Sequence, residues 1–370
     1  MSTYCPLPFR HVFVEPRGVK PCCSYTRVTN VSIDQWIAGD ELKQIQQNIL
    51  SGTVDPGCAQ CIHNEQQHGT STRLGALQHY SNQEFDNTEI DYIDYRSSNV
   101  CNFKCRTCEP FFSNGIAADV KRSEFLQFLY QVPPEKTATV TDKNWIINHL
   151  PQIKRLMFTG GEPTMLPEVR EIIDLVRTAK LDTNIQIITN GSFRDHYWLE
   201  IARDMPNVNF TVSIDAVGSA AEVIRHGTNW TQVEHNIRWL AEHGHSLNFS
   251  TVISRLNLFQ LGPLLAFTRD IRTNYHKPNG RTQFIQLCNY PDYLNPINWP
   301  WALTEAAWRY VDAVKLLEDH KPTVEILTRL SENIKTHVYD PDLWEKGELY
   351  NLEINQIRSQ NHAGLYQPSF

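Results

Sequence analysis

From residue 90 onward, short runs typical of β-strands alternate with stretches of helical periodicity. The strand-like runs are residues 90–95, 155–159, 185–189, 208–214, 247–253 and 283–287. Between them, residues 167–180 and 231–244 repeat apolar side chains at helical intervals, and the second stretch ends on Gly. Strands separated by helices form parallel sheets through right-handed crossovers, with ligands at the carboxyl ends of the strands. The pattern predicts an α/β fold, either an open parallel sheet or a partial barrel.

The N-terminal segment does not share this alternation. Residues 9–28 are typical of two short strands around a Pro-Arg-Gly turn. Residues 32–52 place apolar side chains at the intervals of one helix that ends at Gly52, and Cys58 and Cys61 follow that stop. We expect this segment to form a cysteine-bearing appendage to the α/β core.

The C-terminal segment is predicted to be helical over residues 303–320 and 324–335, with a less regular end. Its Trp, Leu and Val side chains are expected to pack against the sheet, and residues 340–348 are typical of a charged surface segment. Three parts are therefore predicted: an N-terminal module (1–85), a core (86–300) and a helical C-terminal extension (301–370).

Charge and hydropathy exclude several classes of protein. The longest apolar runs, such as residues 185–188, fall far short of the ~20 residues that span a membrane. The first ten residues lack the basic and apolar regions of a secretory signal. A net charge of −7 argues against a general nucleic-acid coat. We expect a cytoplasmic protein that does not enter membranes.

The distribution of cysteines carries the most chemical information. Eight of the nine cysteines lie within the first 108 residues. Disulfide frameworks belong to small secreted domains, and an odd total fits them badly. Clustering at short spacings in a chain of this kind favours metal ligation.

Three of these cysteines form one compact loop, the three-cysteine loop of residues 101–108. Cys101, Cys105 and Cys108 follow the first core strand with C-x3-C-x2-C spacing. Three thiolates can hold three irons of a cubane cluster and leave the fourth iron open, whereas four thiolates close the cluster. We expect Lys104 and Arg106 to help hold the negative thiolates.

A structural zinc site is the alternative for these cysteines. It would pair Cys105 and Cys108 with Cys58 and Cys61 as two C-x2-C knuckles. The interval between the pairs exceeds that of most compact zinc sites, but long insertions occur. The cysteines alone therefore leave both interpretations open.

A second motif follows the next predicted strand. Gly160, Gly161, Glu162 and Pro163 come directly after residues 155–159. Two glycines permit positive φ and close approach of the backbone to a ligand, and the carboxylate of Glu162 can accept from an ammonium group. The sequence at this point resembles the radical S-adenosylmethionine (SAM) superfamily. The matching motifs are CNFKCRTC (101–108), GGEP (160–163), ITNG (188–191) and SID (213–215).

This resemblance implies a partial (β/α)6 TIM-like barrel with a [4Fe–4S] cluster that binds SAM at its open iron. By motif, Cys101, Cys105 and Cys108 would hold the cluster. Gly161 and Glu162, within the loop of residues 160–163, would meet the SAM amino group. Ser213 and Arg225 would meet its carboxylate, and Thr189 and Asn190 would lie near the ribose. Two questions stay open: whether Arg225 is instead a surface helix residue, and whether Asp215 is a structural cap or a substrate-facing group.

The remaining N-terminal cysteines resemble the auxiliary-cluster modules called SPASM and twitch domains. The resemblance rests on residues 5–23 followed by GCAQC (57–61), although in most relatives the module follows the barrel. It implies a second, closed [4Fe–4S] cluster held by Cys5, Cys22, Cys58 and Cys61. Cys23 in place of Cys22, and zinc in place of the cluster, stay open as alternatives.

The resemblance also implies a reaction. A 5′-deoxyadenosyl radical would abstract hydrogen from a substrate, with electrons from a donor such as flavodoxin or ferredoxin. Because the SPASM and twitch group is rich in peptide-modifying enzymes, a peptide or protein substrate is expected. The alternatives are a metabolite or nucleic acid as substrate, or a non-catalytic iron–sulfur or zinc protein. Cys288, after the last predicted strand, is either a hydrogen-atom donor or a buried core thiol.

Overall fold

A computed structural model of the chain describes residues 3–68, 71–130, 142–275 and 283–368. The chain folds into two compact units. The first unit comprises residues 1–99 and 136–187, and the second comprises residues 100–135 and 188–370. The division of the chain at residues 85 and 300 was drawn from the sequence and stays a prediction.

Within the described residues, all strands but two fall within or close to the predicted runs. The strands are β1 (His11–Glu15), β2 (Gly18–Lys20), β3 (Tyr92–Tyr95), β4 (Lys104–Cys105), β5 (Arg155–Phe158), β6 (Asn184–Thr189), β7 (Val208–Ser213), β8 (Arg225–His226), β9 (Leu247–Ile253) and β10 (Gln283–Leu287). The short strands β4 and β8 were not predicted.

The helices alternate with the strands through the core and then continue to the C-terminus. They are α1 (Leu7–Arg10), α2 (Ile33–Ala38), α3 (Asp40–Leu50), α4 (Ala59–His68), α5 (Thr72–His79), α6 (Asn114–Val120), α7 (Glu124–Tyr130), α8 (Lys143–His149), α9 (Pro167–Ala179), α10 (His196–Asp204), α11 (Gly218–Ile224), α12 (Trp230–His243), α13 (Leu261–Asn274), α14 (Trp301–Lys315), α15 (Lys321–Thr336) and α16 (Pro341–Arg358).

The sheet of the first unit is mostly parallel. Strand β3 pairs in parallel with β1 on one side and β5 on the other, β5 pairs in parallel with β6, and β2 is antiparallel to β1. One row across these strands is completely buried and forms the apolar face of the sheet: Val12, Ile93, Leu156 and Ile185. Burial of such β-branched and leucine side chains is the main source of stability here.

The second unit contains the parallel strands β7, β9 and β10, and a short antiparallel ribbon of β4 and β8. Phe210 and Val212 of β7 lie opposite Leu247 and Phe249 of β9, and all four side chains are buried. The prediction of an α/β fold with parallel strands and a helical C-terminal region is confirmed. The strand–helix alternation is consistent with a partial TIM-like barrel.

The N-terminal segment departs from the prediction in two respects. Strand β1 is not part of a detached hairpin, because it pairs in parallel with β3 of the core. The predicted helix over residues 32–52 is two helices, since Gly39 adopts an extended conformation between α2 and α3. A Cβ at Gly39 would lie 2.9 Å from the Gln35 carbonyl oxygen, so glycine suits this break.

The C-terminal segment also departs from the prediction. Residues 340–348 are mostly exposed or half-buried, as predicted, but they begin a regular helix, Pro341–Arg358, which is capped by Asp340 and buries Tyr350, Asn351 and Ile354. Among the described residues, no helix combines the length and apolar character needed to cross a membrane.

Candidate active site

The three-cysteine loop lies in the second unit, where short backbone contacts fold it tightly. Cys105 lies in β4, opposite Arg225 of β8, and the Cys108 amide donates to the Cys105 carbonyl at 3.1 Å. The Cys101 amide donates to Asn114 Oδ1 at 3.1 Å, and the Phe103 amide approaches Cys101 Sγ at 3.4 Å. The loop therefore brings the three predicted ligands together.

The cysteines of this loop are partly buried beside one another. Burial raises the pKa of Cys105, and the nearby Arg225 guanidinium partly offsets that rise. Burial, with Cys105 and Cys101 as neighbours, raises the pKa of Cys108. A bound metal supplies the positive charge that such thiolates need, so these side chains fit an iron–sulfur cluster.

Arg225 is not a surface helix residue, since its side chain is only 14% exposed. Its Nη1 donates to Asp215 Oδ2 at 2.8 Å. Burial opposes the charge of Arg225, but Cys105 and Asp215 outweigh burial and raise the pKa of its guanidinium. Arg225 Nε is buried and has no hydrogen-bond partner within the described part of the chain. Arg225 is therefore a cation with an unused N–H donor beside three thiols. Such a group is suited to binding the carboxylate of a ligand.

Asp215 positions Arg225. One oxygen of its buried carboxylate accepts from Arg225, and the other accepts from the Val252 amide at 2.9 Å. Its backbone carbonyl accepts from Asn257 Nδ2 at 2.7 Å. These contacts give Asp215 a structural role; whether it also faces a substrate stays a prediction.

The strand ends of the second unit hold the other predicted SAM contacts. Ser213 ends β7 and is half-buried, opposite Ser250 of β9. Thr189 Oγ1 accepts from the Gly191 amide at 3.1 Å. Asn190 Nδ2 donates to Asn102 Oδ1 at 2.8 Å, so the end of β6 is tied to the three-cysteine loop. The Asn102–Asn190 pair has no signal in the sequence, because amide pairing depends on tertiary placement.

The Gly-Gly-Glu-Pro loop lies in the first unit and is shaped by close backbone packing. Gly160 has a φ of +118°, and a Cβ there would lie 2.8 Å from the Ser98 carbonyl oxygen. The Gly161 amide donates to the same oxygen at 3.1 Å. The buried carboxylate of Glu162 accepts from the Thr164 amide and hydroxyl at 3.1 and 2.6 Å, and Pro163 begins a 3₁₀ turn. The glycine at position 160 is thus required by its contact with residues 96–98.

The four predicted auxiliary ligands line one cavity of the first unit. These residues are Cys5, Cys22, Cys58 and Cys61. Burial raises the pKa of Cys5 to about 12, and the neighbouring Cys58 and Cys61 add to the rise. Cys23 is exposed and is not among the described residues that line the cavity; its Sγ lies 3.8 Å from Ser24 Oγ. The geometry therefore favours Cys22 over Cys23.

Asp55 holds the turn that carries Cys58. Its buried carboxylate accepts from the Gly57 amide at 2.8 Å, from Tyr25 Oη at 3.0 Å and from Asn48 Nδ2 at 3.0 Å. Tyr25 follows the Cys22–Cys23 pair, so one carboxylate joins the two segments that bear Cys22 and Cys58.

Arg73 lies beside this second group of cysteines and was not predicted. Its side chain is 8% exposed, and its guanidinium donates to Glu65 and, at 3.0 Å, to the Tyr4 carbonyl. Cys5 and Cys61 add to the effect of Glu65 in raising the pKa of Arg73. A buried cation near four thiols is suited to the negative charge of a cluster with four thiolates. Only tertiary structure reveals this residue, because no local sequence pattern connects it with the cysteines.

Among the described residues, no three or more His, Cys, Asp or Glu side chains converge as the ligands of one metal ion. In a cubane each thiolate binds a different iron, so its ligands are further apart than those of a single ion. Cys58 and Cys61 lie in the first unit, whereas Cys105 and Cys108 lie in the second. Iron–sulfur ligation and its zinc alternative both stay predictions.

Cys288 follows β10 and is buried in an apolar cluster that includes Leu256 and Tyr293. Its Sγ donates to the Tyr290 carbonyl at 3.4 Å. Burial, with a contribution from Asp215, raises the pKa of this thiol to about 12. These surroundings are those of a core thiol, and its role as a hydrogen-atom donor stays a prediction.

Lys104 and Arg106 do not make the contacts that we expected. Lys104 Nζ donates to Asp119 Oδ1 at 2.8 Å, and the fully buried Arg106 donates to side chains of helix α16 and the turn after it. Their side chains bind other parts of the second unit because Asp119 and several amide oxygens are available there.

The model of the radical SAM superfamily matches residues 95–267 of this chain. A curated S-adenosylmethionine-dependent nucleotide dehydratase from Flammeovirga pacifica is 26% identical over 186 residues. The match covers 46% of this chain and 57% of that relative, so the chain spans little more than half of its length.

Two solved structures are similar to parts of this chain. Native anSMEcpe with bound AdoMet has a TM-score of 0.40 and 18% identity, over 60% of this chain and 58% of that chain. Streptococcus suis SuiB bound to its precursor peptide SuiA has a TM-score of 0.41 and 14% identity, over 76% and 59% of the two chains.

Proposed function

We propose that this chain, whose residues 95–267 match the model of the radical SAM superfamily, is an enzyme that cleaves SAM reductively. The resulting 5′-deoxyadenosyl radical abstracts hydrogen from a substrate. The observation that carries the proposal is the convergence of three partly buried cysteines, Cys101, Cys105 and Cys108, beside Arg225. When bound there, a reduced [4Fe–4S] cluster supplies one electron to SAM.

The residues around SAM act by binding and orientation. Arg225 and Ser213 bind the carboxylate of the methionine moiety, and Asp215 keeps Arg225 in place. Gly161 and Glu162 bind its amino group, while Gly160 and Pro163 shape their loop. Thr189 and Asn190 lie near the ribose.

A second [4Fe–4S] cluster is held by Cys5, Cys22, Cys58 and Cys61. This assignment is supported by their common cavity, by the exclusion of Cys23 from it and by the buried charge of Arg73. When bound there, a closed cluster would supply an electron acceptor for a substrate radical or an anchor for the substrate. An electron donor such as flavodoxin or ferredoxin reduces the enzyme.

The substrate that we propose is a peptide or protein side chain or backbone. Support comes from the N-terminal cysteines, which resemble the auxiliary modules of peptide-modifying enzymes. Cys288 is proposed as the hydrogen-atom donor if the product is an epimer.

A nucleotide is the second candidate substrate. It is favoured by the similarity to the SAM-dependent nucleotide dehydratase, which the match covers over 57% of its length. Loss of water from a nucleotide and oxidation or epimerisation of a peptide give products that mass spectrometry distinguishes.

The first test is anaerobic reconstitution with iron and sulfide, followed by dithionite and SAM. We expect about eight irons per chain, as two cubanes require, and production of 5′-deoxyadenosine. Cys101→Ala, which removes one ligand of the open cluster, is the control and should abolish that product. Zinc in place of iron, or equal 5′-deoxyadenosine from wild type and Cys101→Ala, would refute the proposal.

The second test separates the substrates. Reconstituted enzyme is incubated with a panel of peptides and a panel of nucleotides in D2O. Stimulated 5′-deoxyadenosine formation together with a mass change in a peptide supports the first candidate. A change confined to nucleotides replaces it with the second.

A further inference from the structure

We propose that helix α16 is a positioning element for the three-cysteine loop, because side chains of this helix bind the backbone on both sides of Cys105. The link to a cluster rests on the proposed function. The contacts themselves, however, lie wholly within the second unit and are independent of any cofactor.

The two carbonyl groups that flank Cys105 each accept a hydrogen bond from α16. Arg358 Nη1 donates to the Lys104 carbonyl at 2.7 Å, and Tyr350 Oη donates to the Arg106 carbonyl at 2.9 Å. Both donors are almost completely buried. A buried hydrogen bond is costly to lose, since the partner then stays without solvent or protein contact.

The Arg106 side chain continues the connection into the same helix. Its guanidinium donates to Asn351 Oδ1 at 3.1 Å, to Asn355 Oδ1 at 2.6 Å and to Gln360 Oε1 at 3.2 Å. These acceptors are neutral amides, so a fully buried charge is solvated by the C-terminal segment. Removal of the helix contacts would leave that charge with only the Val223 carbonyl, which accepts from Arg106 Nε at 3.2 Å.

Arg358 also forms an ion pair next to Lys104, the residue that precedes Cys105. Its Nε donates to Asp119 Oδ2 at 2.8 Å, and Lys104 Nζ donates to the other oxygen of the same carboxylate at 2.8 Å. Both Arg358 and Asp119 side chains are 1% exposed. The two cations share one buried carboxylate, which fixes Lys104 directly before Cys105.

Apart from the Gln360 contact, these contacts come from α16 itself. Asn351, Asn355 and Arg358 follow one another at intervals of four and three residues, and Tyr350 adjoins Asn351, so these side chains lie along one side of the helix. On the opposite side of the loop, β8 pairs with Cys105 and Ile224 accepts from the Arg106 amide at 2.8 Å. Cys105, the predicted cluster ligand, is thus held between strand β8 and helix α16, which is distant in sequence.

The experiment measures how fast iodoacetamide alkylates each cysteine in iron-free protein, by mass spectrometry. We compare Tyr350→Phe, which removes only the hydroxyl, with Tyr310→Phe as matched control. Tyr310 lies in α14 and accepts from the Gly262 amide at 2.9 Å, away from the loop. Tyr350→Phe should raise the alkylation rate of Cys105 about fivefold, the factor for one net hydrogen bond. Cys58 should keep its rate in both variants.

Arg358→Lys is a second variant that keeps a cation near Asp119 but loses the bond to the Lys104 carbonyl. It should raise the Cys105 rate by a similar factor. In reconstituted protein, both variants should change the SAM-dependent EPR signal of the reduced open cluster, and Tyr310→Phe should not. An unchanged Cys105 rate in both variants, or equal increases at Cys58 and in the control, would overturn the proposal. Because alkylation requires neither iron nor SAM, failure of SAM cleavage would leave this test unaffected.

Discussion

At the scale of single residues, the N-terminal cysteines depend on a glycine that faces an aromatic ring. A Cβ at Gly57 would lie 2.2 Å from Cε2 of Tyr25, and the Tyr25 hydroxyl donates to Asp55. The same carboxylate holds the Gly57 amide, one residue before Cys58. A methyl group at this position must displace either the ring or the turn.

Gly57→Ala is therefore expected to destabilise the fold by about 1–3 kcal/mol, the usual cost of overpacking. It should also lower the iron content from about eight to about four per chain, because Cys58 leaves its group. Thermal unfolding and iron analysis measure these effects. Gly75→Ala is the control, since a Cβ there meets nothing within 4 Å in helix α5. Full iron content in Gly57→Ala would contradict the proposed role of this turn.

The sequence predicted which cysteines come together better than it predicted what surrounds them. Cys101, Cys105 and Cys108 are local, so their spacing nearly determines their proximity. Arg73 and Asp55 act on cysteines through tertiary contacts, and no local pattern marks them. Arg106 was expected at the thiolates because it adjoins Cys105, but its long side chain extends to α16.

At the scale of elements, the parallel strands were predicted to within about two residues, as for 90–95 against Tyr92–Tyr95. Strands β6 and β9 alternate buried side chains with more exposed ones and are rich in β-branched residues, and such alternation is a strong local signal. Helix α16 was missed because part of its buried face is polar: Asn351 and Arg358 bind through hydrogen bonds, beside the apolar Ile354. The pairing of β1 with β3 was missed because parallel pairing is not encoded locally.

The same helix holds a carboxylate that should make the C-terminal segment sensitive to acid. Burial disfavours the charge of Glu348, but His362 and Tyr366 at 2.7 Å outweigh it, so the pKa of Glu348 is lowered. Arg255 Nη2 also donates to this carboxylate at 2.9 Å. Since the unfolded chain takes up a proton first, this stabilisation is complete above a pH of about 4.3 and is lost as the pH falls through the folded pKa.

Glu348→Gln should accordingly lower the melting temperature near neutral pH and flatten its fall on acidification. Thermal unfolding between about pH 3 and pH 7 measures both changes. Glu305→Gln is the control, because Glu305 is 66% exposed on α14 and pairs only with exposed Arg309 among the contacts described. Parallel pH curves for wild type and Glu348→Gln would show that Glu348 does not contribute.

At the scale of the whole molecule, each group of cysteines is supported within its own compact unit. Cys5, Cys22, Cys58 and Cys61 lie in the first unit with Arg73, whereas the three-cysteine loop lies in the second with Arg225. Each group also has its own buried carboxylate, Asp55 or Asp215. The two sets of ligands are thus expected to assemble independently.

Replacement of both Cys58 and Cys61 by Ala should therefore separate two activities. We expect iron to fall to about four per chain while 5′-deoxyadenosine still forms from SAM, because the open cluster is intact. Conversion of the substrate should fall by more than about tenfold, since the auxiliary cluster would no longer accept an electron or anchor the substrate. Chromatography of both products in one reaction measures their ratio. If SAM cleavage disappeared together with substrate conversion while Cys101, Cys105 and Cys108 still held iron, the two groups would be coupled, and the division of chemistry between the units would be wrong.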